Sequence, residues 1–282
     1  YIFNLRKLPL YIFTEDLNFF YRLNKALKEK KIPFIISNIP NKIPNFPSII
    51  LTTVKESNRL VRINNKAIIL AYSINEMFED YLLKIIASYR VGFKLNYNSI
   101  IFSIDPGNRI GLMVFLDDYY FDSYCFYEEE SIIKKIHNII KYFQMNNPNL
   151  INLEFKFGSG VLSLTQKLIG LIYKTIKNQN RARFFLIDEF KSSKIKTLNK
   201  YIGKKISKDE ISALILALRG GIELDINNYN SISNSTKGKK SKPNAFQQPK
   251  SWTANEPQYT LFQIIEKILN SELSLSSASQ LI

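Results

Sequence analysis

The stretch Ser99 to Leu116, SIIFSIDPGNRIGLMVFL, constrains the fold more than any other part of the chain. Its first half, 99–105, is apolar enough that a strand there must be buried on both faces. Pro106-Gly107-Asn108 then supplies a turn, the proline setting φ and the glycine freeing it. The chain resumes over 110–116 as a second apolar strand. Asp105 closes the first one. A carboxylate at the mouth of a buried strand needs a cation, a donor or a substrate, because an unpaired buried charge is costly. On these residues alone two readings stay open: a turn-capping side chain bonded to its own backbone, or a functional group.

Upstream, strands at 10–14, 33–37, 48–53 and 67–71 alternate with helices at 17–31 and 75–89. That alternation predicts a small α/β domain over 1–94 with a mostly parallel sheet. It has no glycine before Gly92 and therefore no phosphate-binding glycine turn. Glu15 and Asp16 at the first strand's end fit a helix N-cap equally well, so no chemistry is assigned here.

From Asn96 the pattern changes. Strands at 99–105, 110–116 and 119–127 are joined by short turns, as in an antiparallel meander. A helix at 128–145 carries acids in its first turn and an apolar stripe through Ile132, Ile136 and Ile140. A strand at 150–157 containing Glu154, a helix at 162–177, a strand at 183–187 and a helix at 207–219 complete a domain over 95–225. Gly220-Gly221 stops the last helix. Residues 226–257, rich in Asn, Ser and Lys, have no periodicity and are expected to be a flexible linker. An amphipathic helix within 258–282, with Leu261, Ile264, Ile265 and Ile268 on one side, must dock on this chain or on a partner.

This order brings three sets of acids together if the first and fourth strands are neighbours and the last helix crosses their ends. They are Asp105, Glu154 and the pair Asp209-Glu210. Clustered carboxylates raise one another's pKa unless a divalent cation neutralises them. Oxygen-only ligation suits Mg²⁺ or Mn²⁺, and two such ions can clamp a phosphodiester during in-line displacement.

Residues 99–221 resemble the RuvC family of Holliday-junction resolvases, within the RNase H-like nuclease superfamily. The resemblance is carried by IDPGNR-I-G (Ile104 to Gly111), LEFKFGSGVLSLTQKLIGLI (Leu153 to Ile172) and KDEISALILAL (Lys208 to Leu218). It implies an RNase H-like mixed sheet, three antiparallel strands followed by parallel ones. It further implies a metal-dependent endonuclease of DNA recombination and repair, acting on branched DNA as a homodimer. Asp105, Glu154 and Asp209 would be its catalytic ligands for two Mg²⁺ or Mn²⁺ ions, with Glu210 a further ligand. Nucleic-acid contacts are implied at Arg109, at Phe157 (where the family carries a junction-probing aromatic) and at Lys191, Lys194, Lys196, Lys200, Lys204 and Lys205. The family's final helix presents a second Asp one turn on. Here that position is Ser212, which weakens one metal site or leaves Asp188 or Glu189 to compensate.

Other functions stay in view: a binding protein built on a decayed nuclease domain, or a nuclease of RNA or RNA–DNA hybrid. An Asp-x-Gly turn also opens actin-like and sugar-kinase ATPases, but the second glycine-rich phosphate turn they need is missing from 117–222.

Composition bears on the choice. The formal charge of +15 points to a polyanionic partner, nucleic acid ahead of an acidic membrane surface, although Lys-, Ile- and Asn-rich usage also follows from genome composition. One cysteine, Cys125, and one histidine, His137, exclude an intrachain disulfide and Cys/His zinc sites. No apolar run reaches transmembrane length and no signal-peptide layout is present, so a cytoplasmic, nucleoid-associated protein is expected.

Overall fold

The computed structural model describes residues 8–37, 46–60, 66–145, 147, 151–188, 206–225 and 260–282. The chain is mixed α/β and divides into two compact units, Tyr1–Tyr97 with Ile139–Pro148, and Asn98–Asn138 with Asn149–Ile282.

In the first unit, strands β1 (Leu10–Ile12), β2 (Ile35–Ile36), β3 (Ser48–Thr53) and β4 (Ala67–Tyr72) form a parallel sheet in the order β2-β1-β3-β4. Helices α1 (Leu17–Glu29), α2 (Val54–Leu60) and α3 (Phe78–Arg90) connect them or follow them. Asp16 is the N-cap of α1, its carboxylate accepting from the Phe19 amide at 3.0 Å. Phe19 stacks on Tyr72 and meets Tyr81, whose buried hydroxyl donates to the Leu70 carbonyl at 2.7 Å, so α1 and α3 share one face. Phe13, Ile50 and Leu60 of α2 form a core on the other.

A sheet wound in two directions leaves a crevice where its connections part, here at the ends of β1 and β3, and ligands ordinarily bind in such a crevice. In this chain Glu56 fills it. The buried carboxylate accepts from the Thr14 hydroxyl (2.8 Å), the Glu15 amide (2.6 Å), the Thr53 hydroxyl (2.7 Å) and the Thr53 amide (3.2 Å). Burial pushes its pKa up, but these bonds, led by the Glu15 amide, outweigh burial and hold it below the usual carboxylate value.

The second unit contains strands β5 (Ser99–Asp105), β6 (Ile110–Leu116), β7 (Tyr119–Phe126), β8 (Asn152–Gly158), β9 (Ala182–Ile187) and β10 (Ile222–Glu223). Its helices are α4 (Glu129–Gln144, whose last turns belong to the first unit), α5 (Leu162–Thr175), α6 (Lys208–Ala217), α7 (Leu261–Leu269) and α8 (Leu275–Gln280). The sheet order is β10-β9-β8-β5-β6-β7. Strands β5, β6 and β7 are antiparallel, whereas β8 and β9 run parallel to β5. This is the expected RNase H-like arrangement, with β10 added as a short antiparallel edge.

Alternation sorts the side chains to two faces. Phe102, Phe155 and Phe184 stack across β5, β8 and β9 at 5.1 and 4.9 Å, and Tyr173 of α5 meets Phe184 from that side. On the opposite face α6 lies over the sheet, with the Ser103 hydroxyl donating to the Ala213 carbonyl at 2.7 Å. Ile264, Ile265 and Ile268 of α7 join α6, Met113 and Phe115 in one core, so the amphipathic C-terminal helix docks on its own chain. The two-residue turn between β6 and β7, Asp117-Asp118 with φ of 47° and 73°, anchors α8. Its Asp118 carbonyl accepts from the Leu275 amide at 2.8 Å and its carboxylate from the Ser276 amide at 3.0 Å. The segment read as a linker, 226–257, lies outside the described residues.

Candidate carboxylate site

The site is built on one row of the second sheet. Asp105, Gly111 and Cys125 are cross-strand partners on β5, β6 and β7. The first turn of α6 comes down on this row. A Cβ on Gly111 would lie 2.1 Å from the Asp209 carbonyl oxygen, so only glycine allows the approach. Asp209 is thereby brought to the row that Asp105 ends.

Its carboxylate is engaged. Asp209 accepts from the Arg109 guanidinium through Nε at 2.8 Å and through Nη2, and Cys125 Sγ lies 3.6 Å from the same oxygen. Tyr127, with its ring centre 5.9 Å from the guanidinium, and then Asp209 raise the pKa of Arg109 further, fixing its charge. Burial pushes the Cys125 thiol up, so it is a neutral donor rather than a thiolate. The signal for this pairing was partly in the motif: Arg109 and Gly111 stand within IDPGNR-I-G, but the contribution of Cys125 has no counterpart in it.

The other expected ligands are placed elsewhere. Glu154 pairs in register with Ile101, four positions before Asp105 on β5, which is about 13 Å along the strand. Its carboxylate faces Lys156 Nζ at 3.7 Å. Lys156 in turn donates to the carbonyls of Ala217 (2.7 Å) and Arg219 (3.3 Å), satisfying the C-terminus of α6 with a charge of the favoured sign. Burial lowers the Lys156 pKa, and Glu154 opposes that effect. The Glu154–Lys156 pair thus holds the far end of α6. Lys156 was legible only as the next residue on the same face of the strand.

Glu210 completes a capping box with Ser207, accepting from its amide at 2.7 Å while its own amide donates to the Ser207 hydroxyl. Ser212 shares the Asp209 side of the helix and is half-buried. Phe157 is fully buried on the face opposite Asp105, stacked with Phe184, and offers no surface to a junction; it is a core residue. Among the flanking residues, the Asp188 carbonyl accepts from Arg219 at 2.9 Å. Glu189, Lys191, Lys194, Lys196, Lys200, Lys204 and Lys205 lie outside the described residues.

The donor set can be tested against the two ions that the resemblance implies. Among the described residues no three of His, Cys, Asp and Glu gather as a metal site. Of the acids that share a row, one is bound to a guanidinium, and Glu154 is out of reach. As arranged, these residues do not fit a two-ion centre.

Among the described residues no helix is long and apolar enough to cross a membrane. A scan of protein-family models finds no match, and a search of curated proteins finds none either. Among solved structures, the crystal structure of the N. crassa QDE-2 AGO MID-PIWI domains matches 98% of this chain and 98% of that one, at 9% identity and a TM-score of 0.29. A likeness of that strength carries no weight, and the fold assignment rests on the strand order.

Proposed function

We propose that this protein binds nucleic acid through its RNase H-like unit, and that the acids of that unit hold the fold together instead of assembling for metal-dependent hydrolysis. One observation carries the reading: the Arg109 guanidinium sits on Asp209, supplying internally the positive charge that a divalent cation would bring to a nuclease site. The formal charge of +15 supplies the attraction to phosphates.

A second reading, phosphodiester cleavage using Asp105 and Asp209 with Mg²⁺ or Mn²⁺, is favoured by their meeting at one row. A single panel separates the two. Labelled four-way junction, linear duplex, single strand and RNA–DNA hybrid are incubated with the protein and with Asp105→Asn, in Mg²⁺ and in Mn²⁺. The expected result is binding by both proteins without Asp105-dependent cutting. Cutting that disappears in Asp105→Asn overturns the binding-only reading in favour of the nuclease. Preference for the junction and a homodimer by sedimentation are the finer expectations that the same samples test.

A further inference from the structure

The first unit keeps a second feature open, away from the crevice that Glu56 fills. A cavity of about 220 Å³ lies among the second half of α3, the loop 91–97 and the end of α4, all within that unit, and no strand residue lines it. Its wall is aromatic: Phe93, Tyr142 and Phe143 line it, and Phe93 is 42% exposed. Lys84, Lys94 and Asn96 share the lining, and the Lys94 ammonium lies 5.8 Å from the centre of the Tyr97 ring.

The wall is pre-formed by its own bonds. Gly92, at φ 101°, lets the chain turn away from α3. The Tyr97 hydroxyl donates to the Gly92 carbonyl at 2.7 Å, and the Asn147 side chain donates to the Tyr97 carbonyl at 2.7 Å. The Tyr97 ring meets Phe143 edge-on at 5.4 Å. Burial first, with Glu76, Tyr97 and Asp80 adding to it, pushes the Tyr142 phenol up, so it stays a neutral donor.

Volume narrows the choice. Pockets for drug-sized ligands measure about 300–1,000 Å³, so this smaller cavity suits a single ring system. Flat rings beside ammonium groups are how proteins hold single-stranded nucleic acid, with bases stacked on aromatics and phosphates tracked by cations. We propose that this cavity takes an unpaired base of single-stranded nucleic acid, stacked on the Phe93 side of the wall, with the flanking phosphates at Lys84 and Lys94. The inference rests on the nucleic-acid reading above and goes beyond it, adding a contact on the first unit and naming the form of strand held there.

The test uses the full chain with a thymine oligonucleotide carrying one 5-iodouracil, and a blunt duplex of the same length. Phe93→Ala should weaken single-strand binding about ten-fold or more and leave duplex binding unchanged, while Phe93→Tyr, which keeps the ring, should restore it. Photo-cross-links should map to Phe93 or Tyr142. Native binding that is insensitive to Phe93→Ala, equal losses for both strand forms, or cross-links confined to the second unit would overturn the cavity and leave the general binding reading standing. A native protein that binds neither form overturns both.

Discussion

At Gly111 the sheet and α6 approach more closely than any side chain permits, and the atom in the way belongs to backbone. A flexible side chain would rotate aside; a helix carbonyl cannot. Gly111→Ala should therefore cost about 2–3 kcal/mol or more, read as a lower urea midpoint, because the first turn of α6 must lift. Glu56 is the corresponding residue in the first unit. Its folded pKa lies below its unfolded value, so the stability it contributes is complete above the unfolded value of about 4.3 and is lost as pH falls through the folded one. Denaturation between pH 7 and 3 should show that loss. Glu56→Gln should lower stability at pH 7 by roughly 1.5–3 kcal/mol and flatten the dependence. At this scale the sequence was uneven. The motif around Asp105 identified the row and the glycine in it. The placing of Glu154 was not legible, because the register between strands separated by a helix and two other strands is decided by tertiary packing.

Among the elements, α6 joins most of the second unit: Gly111 receives its start, Ser103 its middle and Lys156 its end. Helix α7 covers it with three buried isoleucines. Ile265→Ala should cost about 2–5 kcal/mol, measured by denaturant unfolding, since the cavity would open between α7 and that core. The long elements were legible from period and punctuation, as in the strands 99–105 and 110–116 around Pro106-Gly107. Those missed are short. Helix α2 has seven residues with Leu60 as its buried apolar anchor, α8 is six residues rich in serine, and β10 is two residues that exist because β9 pairs with them. Each is held by contacts rather than by local preference.

Taken whole, the molecule combines a strong positive charge with two units in which the protein's own groups engage the acids at the strand ends. Glu56 occupies one crevice and Arg109 neutralises the other site. Binding of any strand should then be dominated by counterion release. Raising salt from about 50 to about 200 mM should weaken it at least about ten-fold, with log K falling linearly in log salt. A flat salt response in a filter-binding titration would contradict a role in phosphate recognition.

The position of α6, α7 and α8 after the strands they cover also sets a timetable. Met113, Phe115 and Tyr120 are translated well before the helices that cover them. At about 5–20 residues per second, the roughly 150 residues from β7 to α8 take on the order of ten seconds to make. Over that interval the face of the sheet gains its cover in steps, first from α6 and then from α7 and α8, so the core of the second unit closes only after most of its strands have been made.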